Sequence, residues 1–195
     1  MNIAIVGATG LVGRKIIKLC EEFFDTSVEF QLFASKTSEG KILSVNDKDL
    51  AIKELNIKNI EPCDIALFSA GGVRSKEYAN EFVDRGAFVI DNSSTFRMND
   101  DIPLVVYGIN ENTINEKTKI IANPNCTTMA LVMALKPLHD IFKLVGIVPV
   151  SYQAVSGSGK DAVESLNNEL LNLQNYGSQP SKKYYKNQIA KKVIK

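Results

Sequence analysis

The chain has 195 residues, 45% of them apolar and 23% charged, and its 23 Lys and Arg against 22 Asp and Glu leave a formal net charge of +1. That length holds one full domain, or one domain and part of a second, and the composition excludes both a disordered chain and a disulfide-stapled miniprotein. With no global field to draw it to nucleic acid or anionic membrane, partners have to be sought at local sites.

Residues 2–6 (NIAIV) form a short apolar run of strand type that passes directly into Gly7-Ala8-Thr9-Gly10-Leu11-Val12-Gly13. From Leu11 to Phe24 apolar residues recur at helical spacing with Arg14, Lys15, Lys18, Glu21 and Glu22 between them, which predicts an amphipathic helix. Residues 28–34, 64–69, 87–90 and 119–122 read as further strands, with a helix over 73–85 and a hairpin or short crossover between Lys36 and Glu61. Strands this apolar, separated by helices, predict an α/β fold with a mainly parallel sheet wound on both sides.

After Asn123-Pro124-Asn125 a helix is expected from Cys126 to about Leu135, stopped by Pro137. Residues 142–155 then read as β-rich and 161–173 as a helix, so a domain boundary is placed near Asn125, dividing the chain into 1–125 and 126–195. The segment 181–195 carries six lysines and no acid, with Tyr184 and Tyr185 between them. A solvated end is the simpler reading than a phosphate-binding one, because the rest of the chain shows no basic stripe.

Cys20, Cys63 and Cys126 are an odd, widely spaced set with neither metal-ligand spacing nor a disulfide framework, which favours a reducing compartment. No apolar run reaches the roughly 18 residues of a membrane span, and the start lacks a positively charged signal region. The expectation is a cytoplasmic protein without a membrane, metal or nucleic-acid partner.

Gly7, Gly10 and Gly13 follow a strand and open a helix. There glycines let backbone N–H groups approach a pyrophosphate that the helix N-terminus stabilises. Any tight strand-to-helix turn can use glycine, but the framing strand and helix favour a dinucleotide. Where NAD binding expects an acid at the end of the second strand, this chain has Ser35-Lys36-Thr37-Ser38 after Ala34. Hydroxyls and a lysine suit a 2′-phosphate better, which favours NADP over NAD, against the alternative of an ordinary polar loop.

Cys126 opens a helix, a position that lowers a thiol pKa and favours an attacking thiolate; a structural cysteine is the alternative. Cys20 and Cys63 sit among apolar neighbours as packing thiols. Arg97, in Asn92-Ser93-Ser94-Thr95-Phe96-Arg97, lies in a polar loop after a strand and can clamp phosphate or carboxylate, or make an exposed salt bridge. The single histidine, His139, reads as structural.

Taken together, GATGLVG at 7–13, LFSAGG at 67–72, DNSSTFRM at 91–98, NPNCTT at 123–128 and YQAVSGSGK at 152–160 resemble the aspartate-semialdehyde dehydrogenases over almost the whole chain. The resemblance implies a Rossmann-type NADP-binding domain over 1–125. It also implies the beginning of an α+β catalytic and dimerisation domain from 126, and a homodimer or homotetramer. It implies interconversion of 4-aspartyl phosphate and aspartate 4-semialdehyde, with phosphate released, in lysine, threonine and methionine synthesis. By matched position Cys126 is the nucleophile that forms an acyl-thioester, Arg97 binds phosphate and Gln153 orients substrate. NADP touches Gly7, Thr9, Gly10, Leu11, Val12, Gly13, Ser35, Lys36, Thr37, Ser38, Gly72, Ser156 and Gly157.

Two departures qualify the match. The family often has arginine or lysine where this chain has Thr37, which shifts the 2′-phosphate grip to Lys36 and Ser38. Family members also continue past this length, with a substrate-binding arginine and an acid/base histidine in the later portion, so a C-terminally truncated member is expected. The alternatives are a catalytically silent NADP-binding module and N-acetyl-glutamyl-phosphate reductase, a relative with the same thioester logic.

Overall fold

The computed structural model describes residues 1–174, in two compact units, Met1–Ser151 and a second starting at Tyr152. The first unit is built on eight strands: β1 (Asn2–Val6), β2 (Glu29–Ala34), β3 (Ile42–Val45), β4 (Lys48–Ala51), β5 (Lys53–Glu54), β6 (Ile65–Phe68), β7 (Phe88–Asp91) and β8 (Ile120–Ala122). Its helices are α1 (Leu11–Phe23), α2 (Gly72–Asp84) and α3 (Cys126–Phe142); α4 (Lys160–Gln174) belongs to the second unit.

Six strands form one sheet in the order β5-β2-β1-β6-β7-β8, with every pairing parallel. This is the order of a Rossmann sheet. The chain reverses direction of travel at β1 and β6, and the crevice outside their carboxyl ends is where such sheets bind ligands. β1 shows why the strands are apolar on both sides. Ala4 and Val6 pack with Phe33, Phe68 and Phe82 on one face, Ile3 and Ile5 with Ile17 and Leu32 on the other. On the α2 face the ring of Phe82 meets Phe33 and Phe68 edge-on, at centroid distances of 5.6 and 5.3 Å.

The segment between Lys36 and Glu61 contains a hairpin, as the sequence allows. β3 and β4 pair antiparallel around Asn46 and Asp47, both at positive φ (51° and 60°), the conformation of a two-residue hairpin turn.

Two expectations fail beyond β8. The helix predicted to stop near Leu135 runs on to Phe142 with Pro137 inside it. Pro137 is exposed, so the carbonyl that loses its helical donor there can be hydrated, and the helix ends instead at Lys143, which is left-handed at φ 52°. The predicted β-rich stretch forms no strand between Lys143 and Ala154. β-branched residues favour extended backbone, but a ladder needs a partner strand, and among the described residues none lies beside Val145, Val148 and Val150, which are exposed. The lysine-rich segment 181–195 lies outside the described residues.

Candidate functional site

Two features meet at the carboxyl edge of the sheet: a glycine-lined cleft and the turn that carries Cys126. The cleft starts where β1 gives way to Gly7, whose φ of +94° suits only glycine and whose N–H, with that of Ala8, donates to the Phe33 carbonyl at 2.8 and 3.0 Å. A side chain at Gly7 would meet the Ser69 carbonyl at 2.8 Å, and one at Gly13 the Gly7 carbonyl at 2.1 Å. The glycines therefore bring helix, turn and neighbouring strand into contact, and leave backbone rather than side chain facing the crevice.

Both helices that begin at the cleft start on glycine. Gly10 caps α1 and Gly71 caps α2. Neither start has a side-chain cap hydrogen bond or an acid in its first turn, so the first-turn N–H groups and the positive helix ends are open to an anion. Leu11 and Val12 are exposed although apolar. Between the starts of α1 and α2 lies a cavity of about 210 Å³ whose lining includes Gly7, Thr9 and Gly10 of the turn, Ser35 after β2, Ser69 after β6 and Arg74 of α2. A cavity framed by backbone donors, a hydroxyl and a cation fits the phosphates of a dinucleotide, and none of its lining residues is acidic.

Of the loop Ser35 to Ser38, only Ser35 lines this cavity. Its hydroxyl lies 2.9 Å from Thr37 Oγ1; Lys36 and Thr37 are exposed, and Ser38 is buried with its N–H donating to the Ser35 carbonyl. Arg74, which the sequence did not single out, lines it from the first turn of α2. The sequence signal was an arginine two residues past the LFSAGG glycines, legible only once α2 is placed beside β2.

The thiol stands on a second construction. β8 ends at Ala122, and Asn125 caps α3 through its side-chain oxygen, which accepts from the Thr127 N–H at 3.0 Å. Cys126 is the exposed first residue of α3, its Sγ 3.9 Å from Asn125 Oδ1. The turn before it is tied down from behind. The Asn123 N–H donates to the Asp91 carbonyl and its amide to Asn92 Oδ1, at 2.8 and 2.7 Å. Arg97 donates from Nε to the Asn123 carbonyl and from Nη2 to the Asn92 carbonyl, at 2.8 and 2.9 Å. Arg97 is therefore half-buried and bonded to backbone rather than in an exposed salt bridge, and its remaining guanidinium hydrogens are left for a ligand.

Asp91 anchors the same loop from the core. Fully buried, it accepts from the hydroxyls of Ser75 on α2 and Ser93, both at 2.6 Å, and from the Ser93 N–H at 3.1 Å. Thr95 Oγ1 donates to the Gly72 carbonyl at 2.8 Å, in contact range of any side chain added at Gly72. One loop, residues 92–97, thus connects the start of α2 at the cleft with the turn before Cys126.

The other thiols are of a different kind. Burial pushes Cys63 up to about 11, and burial and then Glu21 push Cys20 up, so both are neutral packing groups at ordinary pH. His139 lies thirteen residues along α3 from Cys126, roughly 20 Å at the helical rise, and cannot serve that thiol. Gln153, Ser156 and Gly157 are exposed residues of the second unit, where Ser156 and Gly157 lie in a 3-10 turn (Val155–Ser158) and a side chain added at Gly157 would lie 3.9 Å from Gln153 Nε2. Among the described residues there is no cluster of metal-ligating side chains and no helix long and apolar enough to cross a membrane.

Comparison with known proteins bears on this site. Residues 2–117 match the model of the semialdehyde dehydrogenase NAD binding domain, and residues 135–195 that of the semialdehyde dehydrogenase dimerisation domain. The aspartate-semialdehyde dehydrogenase of Aquifex aeolicus is 46% identical over 192 residues, 97% of this chain and 56% of that protein. A crystal structure of aspartate semialdehyde dehydrogenase II from Vibrio cholerae, complexed with ASA, superposes with a TM-score of 0.81 at 37% identity, covering 97% of this chain and 56% of that one. The Candida albicans enzyme with NADP gives a TM-score of 0.59 at 26% identity, over 80% of this chain and 51% of that one. The chain spans about half the length of the curated relatives it matches.

Proposed function

The chain belongs to the semialdehyde dehydrogenase family, and from that premise we propose that it carries the cofactor cleft and the nucleophile of an NADP-dependent aspartate-semialdehyde dehydrogenase. The observation that carries this reading is the loop 92–97, which fixes the start of α2 at the cleft and the turn before the exposed thiol of Cys126 in one hydrogen-bonded network.

In this reading the functional division falls at Asn125. Gly7, Thr9, Gly10, Leu11, Val12, Gly13, Ser35 and Gly72 form the cleft, and by matched position with the family Ser156 and Gly157 are further cofactor contacts. Cys126 Sγ, as thiolate, attacks the carbonyl carbon of 4-aspartyl phosphate; the C–S bond forms, the bond to the phosphate oxygen breaks, and inorganic phosphate leaves. The N–H groups of the first turn of α3 that the Asn125 side chain leaves uncapped offer donors to the oxyanion. Arg97 stabilises the departing phosphate with the donors its backbone bonds leave over, and Gln153 orients the substrate. NADPH, when bound, supplies hydride to the thioester. The names of the relatives support the aspartyl substrate over the N-acetylglutamyl one. A homodimer or homotetramer is supported by the dimerisation-domain match and by the exposed apolar side chains Ile141 and Phe142 of α3.

The test is phosphate-dependent NADPH formation from aspartate semialdehyde and NADP, with Cys126→Ser as control. The expected result is turnover in the native chain and at least about a thousandfold loss in the variant. A second reading is supported by the single histidine of the sequence lying far from Cys126: a module that binds NADP without turnover. Nucleotide binding with no turnover in either protein decides for that module.

A further inference from the structure

The cleft holds one charged side chain. Of the residues that line its roughly 210 Å³, Arg74 alone carries a charge, and it comes from α2 rather than from the loop after β2 where a 2′-phosphate contact is expected. Lys36, the cation of that loop, is exposed and does not line the cavity, and Ser38 is buried. Ser35 does line it, at the end of β2, the strand that in this sheet order ends at the adenosine ribose.

The arginine is not committed elsewhere. Among the described residues its side chain makes one hydrogen bond, a long one from Nη1 to the Ala70 carbonyl at 3.4 Å, and no ion pair with a carboxylate. No lining residue is an acid that would repel a phosphate or accept from a 2′-hydroxyl.

Resting on the dinucleotide reading above, we infer that Arg74 is the residue that selects a 2′-phosphorylated cofactor, its guanidinium closing on the 2′-phosphate from α2 while the Ser35 hydroxyl meets it from β2. A guanidinium presents paired donors that match phosphate oxygens, so a single arginine can replace a cation missing from the loop. The selectivity of the site is then carried by a residue about forty positions further along the chain than the segment in which it is ordinarily sought.

The experiment titrates the native chain, Arg74→Gln, Arg74→Lys and Lys36→Ala with adenosine 2′,5′-bisphosphate and with 5′-AMP by isothermal calorimetry. These probes occupy only the adenosine end of the cleft, and circular dichroism checks that each variant is folded. The expected result is a loss of about 10- to 100-fold in bisphosphate affinity for Arg74→Gln, with 5′-AMP changed by less than about twofold, a smaller loss for Arg74→Lys, and little change for Lys36→Ala. Equal weakening of both probes in Arg74→Gln overturns the inference, because the arginine would then serve the 5′-phosphate or the base. Discrimination that survives Arg74→Gln but is lost in Lys36→Ala also overturns it and returns the grip to the loop, leaving the dinucleotide reading intact. A native chain that binds neither probe overturns both.

Discussion

Phe82 and Phe142 are the same side chain in two regions of one unit. Phe82, on α2, is fully buried between Phe33 and Phe68, and the buried apolar residues from β1 to β8 are divided between the two covered faces of the sheet. Phe142, at the end of α3, is 70% exposed, and no residue of α3 is buried although it is the most apolar α-helix among the described residues. The contrast separates two uses of hydrophobicity. In the sheet it holds the cleft in shape, and in α3 it is displayed as surface, where apolar area of this kind marks a contact face.

Truncating each ring tests that contrast with the largest effect. Phe82→Ala removes a ring that meets two others edge-on and leaves a cavity, and is expected to cost about 3–5 kcal/mol in urea unfolding. Phe142→Ala is expected to stay within about 0.5 kcal/mol at protein concentrations low enough to keep the chain monomeric. A cost at Phe142 comparable to that at Phe82 and independent of protein concentration would break the comparison, since the ring would then pack within its own chain, whereas a cost that grows with concentration would mark the subunit contact.

Glycine gives the next largest effect, with a reversed sign. In a helix interior Gly→Ala ordinarily gains close to 1 kcal/mol. At Gly13 the added methyl would lie 2.1 Å from the Gly7 carbonyl, which is backbone and cannot turn away. Gly13→Ala is therefore expected to destabilise by about 2–4 kcal/mol and to weaken nucleotide binding, because α1 would have to lift from the turn that forms the cleft. A neutral or stabilising result would show that α1 does not pack on Gly7.

What the sequence made legible follows the range of the signals. The β1–turn–α1 unit could be read from residues 2 to 24 because strand type, glycines and helical period are local properties, and the helix formed over Leu11–Phe23. Pro137 misled because the rule that proline stops a helix is also local and takes no account of an exposed position where water can reach the orphaned carbonyl. Residues 142–155 misled for the opposite reason, since β propensity is realised only beside a partner strand. The roles of Arg97 and Arg74 were beyond local reading. Arg97 spends two donors on carbonyls 5 and 26 positions away, and Arg74 faces a cleft whose other wall is Ser35.

The cysteines sharpen the comparison at the smallest energy. Cys63, in the sheet region, is buried and pushed up to about 11 from an ordinary value of 9.0, whereas Cys126 on α3 is exposed. Because the folded thiol holds its proton more tightly than the unfolded one, the contribution of Cys63 is complete below pH 9 and is lost as the pH rises towards 11. Between those limits the unfolded chain has released the proton and the folded chain has not, so folding must hold a neutral thiol against the solvent's preference. The native chain is therefore expected to lose roughly 1–2 kcal/mol more than Cys63→Ala between pH 8 and pH 11 in matched urea titrations. The subtraction removes the tyrosines and lysines that titrate in both proteins, and Cys20, raised in the same direction, leaves some slope in the variant. A Cys63→Ala curve as steep as the native one over that range would mean that the Cys63 thiol meets solvent in the folded chain, and the contrast between a packed and a displayed cysteine would fail.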